Sequence, residues 1–170
     1  MAIDNYNHTF KHLVETNIPE YYETLQSHIN EPISLSEFSI EGVGVVGLTK
    51  RLNLVSDFQG CYVLIEKTKP IYVGISRSVL QRLQQHVKGT THFDASLAYR
   101  IASKNMPHNH TRSMAMENDE FKDQFDKAKS YIRSLNVAFV EIDNPIELYV
   151  FEPFCAMELN TSEWNTFETH

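Results

Sequence analysis

Two tyrosines, one arginine and one histidine lie close together in this chain and are of types that can do chemistry. Tyr62 and Tyr72 belong to the stretch GCYVLIEKTKPIYVG, residues 60–74, and Arg82 and His86 follow at i and i+4. Two β-rich runs joined by KTK predict a hairpin, and cross-strand neighbours on one face lie about 4.5–5.5 Å apart at Cβ. The two phenols can therefore converge beside a guanidinium and an imidazole on one helix face, which would form a cradle for an anion.

A purely structural role is the alternative for the same residues. Tyrosines in a hairpin are often core residues, and an arginine and a histidine four residues apart are often part of a solvated helix face. The four residues taken alone do not decide between these interpretations, so the rest of the chain must.

Composition is that of an ordinary globular protein. The chain has 170 residues, 42% hydrophobic and 22% charged, which fits one domain with a hydrophobic core. No apolar run approaches the roughly 20 residues of a membrane helix, and the N-terminus lacks the pattern of a signal peptide. We therefore expect a cytoplasmic protein with no membrane partner, in which Cys61 and Cys155 are buried thiols.

Charge is distributed unevenly along the chain. The net charge is −7, yet residues 67–112 hold eight lysines and arginines against Asp94 alone. A basic middle segment within an acidic chain can meet a polyanion through one face. Chance clustering on a solvated surface is the alternative.

Hydrophobic periodicity predicts one compact α+β domain without repeats or linkers. Between Tyr6 and Ile29 the apolar spacing is helical, and Pro19 should break or kink the helix. Asn144, Pro145 and Glu147 predict the start of a later helix. The other predicted elements are the hairpin, a helix over RSVLQRLQQHVK, a helix over FDASLAYRIASK, a loop over HNHTRSMAMEN, a helix over DEFKDQFDKAKSYIRSL and a strand over VAFVEI.

Two further patterns are predicted to carry no chemistry. GVGVVG, residues 42–47, matches a dinucleotide-binding fingerprint, which needs a preceding strand and a following helix. The following LTKRLNLV predicts no helix, so we expect flexible glycines there. The group His108-Asn109-His110 lacks a cysteine pair or second histidine at zinc-ligand spacing, and we expect a surface loop.

The order of the candidate residues resembles the signature of the GIY-YIG nucleases. YVGISRSVLQRLQQH, residues 72–86, is similar to its second half, and Gly60-Cys61-Tyr62 stands where the family has Gly-Ile-Tyr. VFEPFCAMELNTSEWNTF resembles the segment that carries the family's glutamate and asparagine, here Glu152 and Asn165. The resemblance covers about residues 58–170.

This resemblance implies the fold and the activity. The fold would be a small three-stranded antiparallel sheet flanked by helices, with residues 58–170 as the catalytic domain and residues 1–57 as an N-terminal helical extension of the same compact unit. The activity would be cleavage of a DNA phosphodiester with one Mg²⁺ or Mn²⁺ per site. Glu152 would be the metal ligand, since hard oxygens suit these ions. Glu147 and Glu158 lie nearby, and Pro153 directly after Glu152 keeps Glu147 open as the ligand.

The resemblance also implies roles for the remaining candidates. Arg82 would clamp the phosphate through its planar fork. Tyr62, somewhat favoured over Tyr72, would be the general base, with Tyr72 orienting the water or phosphate. His86 would share in proton transfer or contact the phosphate, and Asn165 would hold the site by hydrogen bonds that return the C-terminal segment to the sheet.

Five further residues are candidates for substrate binding. They are Gly74, Ser76, Arg77, Lys88 and Arg100. The family often has a basic residue where Gln81 stands, so this chain lacks one phosphate contact. Cys61 in place of isoleucine is a small apolar change.

The expected partner is DNA, single- or double-stranded, with RNA left open as a substrate. Residues 1–57 contain no recognisable DNA-reading module, so a homodimer, a partner protein or a preference for structured DNA would supply target choice. Two other functions stay open: a catalytically weak or inactive nucleic-acid-binding module of the same fold, and a structural or protein-interaction domain.

Overall fold

The computed structural model describes residue 3 and residues 6–167. Spatially the chain divides into two compact units. The sheet unit contains residues 1–33, 57–79 and 136–170, and the helical unit contains residues 34–56 and 80–135. The expected division into an extension, residues 1–57, and a catalytic domain, residues 58–170, follows the chain and stays a prediction.

Fourteen helical and extended segments follow one another along the described residues. The helices are α1 (Phe10–His12), a π-helical segment (Leu13–Asn17), α2 (Ile18–Asn30), a 3₁₀ helix (Leu35–Ser39), α3 (Val45–Arg51), α4 (Val79–Lys88), α5 (Ser96–Asn105), α6 (Arg112–Glu117), α7 (Asp119–Arg133) and α8 (Pro145–Glu158). The strands are β1 (Ile33–Ser34), β2 (Gly60–Glu66), β3 (Lys69–Ser76) and β4 (Asn136–Glu141). In this part of the chain no helix is long and apolar enough to cross a membrane.

The strands form one sheet in the order β1-β4-β2-β3. The predicted α+β class is confirmed, and β4, β2 and β3 are the three expected antiparallel strands. A fourth strand, β1, has only two residues, which is too short for an alternating pattern to be recognised in the sequence. Because β3 is the outermost strand, one of its edges is open to other groups.

The predicted hairpin is formed by β2 and β3 around the turn Lys67-Thr68. Lys67 adopts a left-handed conformation with φ 56°, which suits a two-residue hairpin turn. Tyr62 lies opposite Gly74, and Tyr72 lies opposite Leu64. Opposite residues share a face, and so do residues two apart, so both tyrosines lie on the same face of the sheet.

The opposite face of the sheet forms the core of the sheet unit. Residues from three strands, including Cys61, Val63, Val73 and Ala138, pack there with Phe151 and other apolar residues of α2 and α8. Cys61 and Cys155 are both fully buried in this cluster as free thiols, as predicted. Helix α8 therefore covers the face that does not carry the tyrosines.

Prolines lie in two helices of the sheet unit. Pro19 is the second residue of α2, just after the π-helical segment, where a proline cannot donate to the Glu15 carbonyl and a wider helical turn accommodates the ring. In α8, the Asn144 side chain accepts from Ile146 N and Glu147 N, which confirms the predicted cap. Pro153 lies inside α8 without ending it, so the Tyr149 carbonyl lacks its usual donor within the helix.

The helical unit corrects two sequence predictions. Gly44 caps a seven-residue helix, α3, where GVGVVG predicted only flexible glycines, and α6 lies within the predicted loop HNHTRSMAMEN. A 3₁₀ helix rather than a strand precedes GVGVVG, so the dinucleotide-binding context is still missing. Helix α7 matches its prediction, with Asn118 as N-cap, and buries Phe121 and Phe125.

Candidate active site

The two phenols lie side by side over Gly74. The ring centroids of Tyr62 and Tyr72 are 6.2 Å apart and tilted by 52°. Tyr62 is 1% exposed, and a Cβ added at Gly74 would lie 2.4 Å from Tyr62 Cζ. Glycine at position 74 is therefore required for the Tyr62 ring to lie flat across β3, and this close approach explains its place in the motif.

Asn165 binds the open edge of the sheet. Its Oδ1 accepts from Val73 N at 2.9 Å, and its Nδ2 donates to Val73 O at 2.8 Å. The side-chain amide thus pairs with β3 as a neighbouring strand would. This pairing brings the segment after α8 to the residue between Tyr72 and Gly74.

Glu152 lies in the middle of α8, half-buried. Burial raises the pKa of its carboxyl above the usual range. Among the described residues the structure gives Glu152 no hydrogen bond and no ion pair. A desolvated carboxylate without such a partner is energetically costly unless a cation meets it.

Glu147 lies in the first turn of α8 in a different situation. It is 6% exposed. Its carboxylate accepts hydrogen bonds from the Asn17 side-chain amide and, at 2.6 Å, from the Tyr21 hydroxyl. Burial and this hydrogen bond raise the pKa of Tyr21, so the phenol stays a donor. Both carboxylate oxygens are used to connect α8 with the N-terminal helical segments, which leaves Glu147 poorly suited to a metal.

The phenols and Glu152 lie on different sides of the sheet. The phenols lie on one face, and α8 with Glu152 packs on the other. Asn165 binds the free edge of β3, the strand that carries Tyr72. The structure therefore brings Tyr62, Tyr72 and Asn165 to one strand pair and leaves Glu152 on the opposite face.

Arg82 belongs to the helical unit and is held there by neutral acceptors. Its guanidinium donates to the Gln85 side chain at 3.1 Å, to the Asp94 carbonyl at 2.8 Å and to the Ser96 hydroxyl at 2.8 Å. These three bonds fix the orientation of the fork without neutralising its charge. A fixed, charged fork is suited to an anion.

His86 is fully buried in the helical unit. Burial, with the Arg82 charge as the second cause, lowers the pKa of His86 to about 3. The imidazole is therefore neutral near pH 7. A buried neutral ring suits hydrogen bonding rather than a direct ionic contact with phosphate.

The residues expected to bind substrate are in varied settings. The Ser76 hydroxyl forms a turn with Ser78, accepting from its N–H and donating to its carbonyl, both at 3.0 Å. The Lys88 ammonium donates to the carbonyls of Ile40 and Val43. Arg77 is exposed and Arg100 is half-buried on α5. Arg77 and Lys88 are both exposed cations, but the Lys88 ammonium is occupied by two carbonyls.

The described residues contain no group of three or more histidine, cysteine, aspartate or glutamate side chains that could hold a metal. His108, in the group that the sequence suggested is a surface loop, has its Nε2 3.1 Å from the Tyr99 hydroxyl. Glu152 fits a divalent cation as a single ligand, because its desolvated hard oxygens match Mg²⁺ and water and substrate oxygens can complete the shell.

Sequence reasoning missed Asn17 and Tyr21, which decide the environment of Glu147. They lie 130 and 126 residues away from it in the chain. No local pattern could have identified this contact, since the N-terminal helical periodicity shows which positions are apolar but not which polar groups meet.

One comparison with known proteins identifies a family. The family model described as the GIY-YIG catalytic domain matches residues 58–143, about half of the chain. The matched residues include both tyrosines, Arg82 and His86, but end before Glu152 and Asn165. No curated protein and no solved structure matches the chain.

Proposed function

The chain belongs to the GIY-YIG family, and we propose that it is a divalent-metal-dependent endonuclease that hydrolyses DNA phosphodiester bonds. Its fold is of the nuclease type, members of the family are generally endonucleases that act on DNA, and they typically depend on a divalent metal. The observation that carries the proposal is the contrast on α8: protein donors satisfy Glu147, whereas Glu152 is desolvated and receives no hydrogen bond from residue 3 or residues 6–167.

The proposed ligand for Mg²⁺ or Mn²⁺ is Glu152. When bound, such an ion polarises the phosphate and lowers the pKa of a coordinated water. The chain's contribution is to hold the carboxylate half-buried on a rigid helix, so that its position is fixed before substrate arrives. The burial of Glu147 by Asn17 and Tyr21 supports Glu152 over Glu147 as the ligand.

Arg82 is proposed as the phosphate clamp. Its fork is oriented by Gln85, Asp94 and Ser96, so little side-chain entropy remains to be lost on binding an anion. Charge that develops on a non-bridging oxygen in the transition state would be stabilised by this fixed cation.

Tyr62 is proposed as the general base, with Tyr72 orienting the attacking water. Gly74 and the neighbouring ring restrict Tyr62 to one position, and a fixed acceptor is what proton abstraction requires. Asn165 is a positioning residue, because it holds the Val73 backbone between Tyr72 and Gly74. The neutral imidazole of His86 is proposed to share in proton transfer.

A nuclease assay tests the proposal. Plasmid and single-stranded DNA are incubated with wild type in Mg²⁺, in Mn²⁺ and in chelator, with Glu152→Ala and the exposed Glu158→Ala as a matched pair on one helix. We expect cleavage that needs the metal, a loss of about 100-fold or more for Glu152→Ala and near-wild-type rates for Glu158→Ala. Metal-independent cleavage, or an active Glu152→Ala protein, would contradict the assignment.

Absence of cleavage under all conditions would favour a non-catalytic nucleic-acid-binding module. That outcome is recognised by an affinity for DNA that falls as salt increases. Absence of both cleavage and salt-sensitive binding would favour a structural domain.

A further inference from the structure

A small pocket lies where β3 ends and α8 begins. Its volume is about 210 Å³, and its lining includes Gln59, Ile75, Arg77, Leu148 and Tyr149. This is below the roughly 300 Å³ at which drug-sized sites begin. The pocket therefore has room for one flat ring rather than for a large cofactor.

Tyr149 supplies an exposed aromatic face to this pocket. It is 66% exposed on a helix whose apolar residues Leu148, Phe151 and Cys155 pack on the sheet. Among the described residues it has no hydrogen bond and no ring contact, so folding of the sheet unit gains little from the ring. Tyr149 also precedes Glu152 by three residues, or about 4.5 Å along the helix axis at 1.5 Å per residue.

Arg77 supplies a positive charge to the same pocket. It follows the last residue of β3 and is exposed. Within the described part of the chain it forms no ion pair, so its charge is available to an anion. The combination of an accessible aromatic ring and an accessible cation is the one that single-stranded nucleic acids bind.

The pocket is fixed before any ligand arrives. The Gln59 amide donates to the carbonyls of Ile142 and Asp143 at 3.0 and 2.7 Å, just before the Asn144 cap of α8. These bonds connect the start of β2 with the start of α8. The ring of Tyr149 is thus presented on an anchored helix end, which lowers the entropy cost of binding.

We propose that this pocket binds an unpaired nucleotide of the substrate, with its base stacked on Tyr149 and a phosphate held by Arg77. A base within a duplex is covered by its neighbours, whereas an unpaired base can offer a free face. The substrate class is therefore single-stranded DNA, or DNA with unpaired nucleotides beside the cleaved bond. That the pocket lies beside the cleaved bond rests on the proposed function, since it takes Glu152 as the metal ligand. The binding of an unpaired base does not depend on that function.

Equilibrium binding in chelator tests the pocket without cleavage. A fluorescein-labelled single strand of about 15 nucleotides, long enough to span one site, and its blunt duplex are titrated with wild type, Tyr149→Ala, Tyr149→Phe and Phe10→Ala. Phe10 is a control because it is similarly exposed, at 68%, on α1 outside the pocket. We expect Tyr149→Ala to weaken single-strand binding by about 5- to 100-fold, since base stacking is lost. Tyr149→Phe and Phe10→Ala should bind within about twofold of wild type.

The Arg77→Ala variant tests the proposed phosphate contact independently of base stacking. Its single-strand affinity should fall, and the slope of log affinity against log salt should decrease in magnitude by about 0.7, the value for one phosphate on a single strand. A 2-aminopurine base in the strand should lose fluorescence on binding wild type and regain it with Tyr149→Ala, which reports stacking directly.

Three results would overturn the inference: an unchanged single-strand affinity of Tyr149→Ala, an equal loss for duplex and single strand, or no single-strand binding by wild type. Thermal melts of each variant show whether it is folded, and the 2-aminopurine signal of wild type decides the question if Tyr149→Ala does not fold. Tyr149-dependent binding without metal-dependent cleavage would contradict the endonuclease proposal alone. Cleavage with Tyr149-independent binding would contradict this inference alone.

Discussion

Two glutamates five residues apart on α8 have opposite environments. Glu147 is nearly fully buried and accepts hydrogen bonds from Asn17 and Tyr21. Glu152 is half-buried, and burial raises the pKa of its carboxyl without a described hydrogen bond to compensate. Protein donors thus satisfy the carboxylate of Glu147, whereas no described residue donates a hydrogen bond to the carboxylate of Glu152.

The difference shows how a buried charge can indicate function. A carboxylate that receives donors stabilises a structure, whereas one that is desolvated without them destabilises it. Such a cost persists where a ligand offsets it, so Glu152 is the better candidate for a cation site than its more deeply buried neighbour. Burial alone would rank Glu147 above Glu152, and the hydrogen bonds to Glu147 reverse that order.

The largest effect is expected at Arg82, whose charge is likewise held by neutral groups rather than neutralised. Arg82→Ala should lower kcat/KM for DNA cleavage by about 100- to 1,000-fold, because a fixed cation on the phosphate is lost. Gln81→Ala, the exposed neighbour, is the control. Cleavage by Arg82→Ala at the wild-type rate would show that a charge held in this way carries no function.

The next largest effect is a loss of stability when Glu147 is replaced. Glu147→Ala should lower the free energy of unfolding by about 2–4 kcal/mol, since Asn17 and Tyr21 lose their acceptor. Urea denaturation measures this, with Glu158→Ala expected within about 0.5 kcal/mol of wild type. An unchanged unfolding midpoint for Glu147→Ala would mean that these hydrogen bonds add nothing.

A smaller effect is expected at the glycine under Tyr62. Gly74→Ala would place a Cβ 2.4 Å from Tyr62 Cζ and should cost about 1–3 kcal/mol of unfolding free energy. It should also displace the proposed base and lower the cleavage rate. Gly44→Ala, whose new methyl group would have no atom within 4 Å, should cost less than about 1 kcal/mol, because the weaker helix cap is partly offset by the lower entropy of the unfolded chain. Equal stability of the two variants would contradict the close packing of Tyr62.

A further effect on stability is a pH dependence from His86. Its pKa in the folded protein is about 3, below the ordinary value near 6.5, because the ring is buried. Between these pH values the unfolded chain binds the extra proton, so the stabilising contribution is complete above about pH 6.5 and is lost as pH falls. The loss should approach about 1.4 kcal/mol per pH unit.

Urea midpoints at about pH 7 and about pH 5, on either side of the ordinary histidine pKa, measure this effect. His86→Gln should flatten the decline between the two pH values, while the exposed His110→Gln should leave it as in wild type. A decline that is identical in His86→Gln and wild type would assign the acid sensitivity to other groups.

Local patterns predicted much of the fold. The alternation around KTK indicated the hairpin, the i, i+4 spacing placed Arg82 and His86 on one helix, and Asn144-Pro145 marked the start of α8. In each case the signal lies within a few residues of its consequence. The helix after GVGVVG was missed because glycine and valine are weak helix formers whose conformation is decided by their surroundings.

The environment of the candidate site was less predictable. The choice between Glu147 and Glu152 depends on Asn17 and Tyr21, which are distant in the chain. The complete burial of His86 and the edge pairing of Asn165 with Val73 likewise depend on packing between distant segments. The sequence shows which residue types are present, whereas tertiary contacts determine their burial, hydrogen bonds and pKa values.

Single-turnover cleavage by Glu152→Gln and Glu147→Gln, measured side by side at saturating Mg²⁺ and well below either melting temperature, tests the central contrast most directly. We expect a loss of about 100-fold or more for Glu152→Gln with little loss of stability, and a loss of stability with near-wild-type cleavage for Glu147→Gln. The reverse pattern, with Glu147→Gln inactive and Glu152→Gln active, would contradict it.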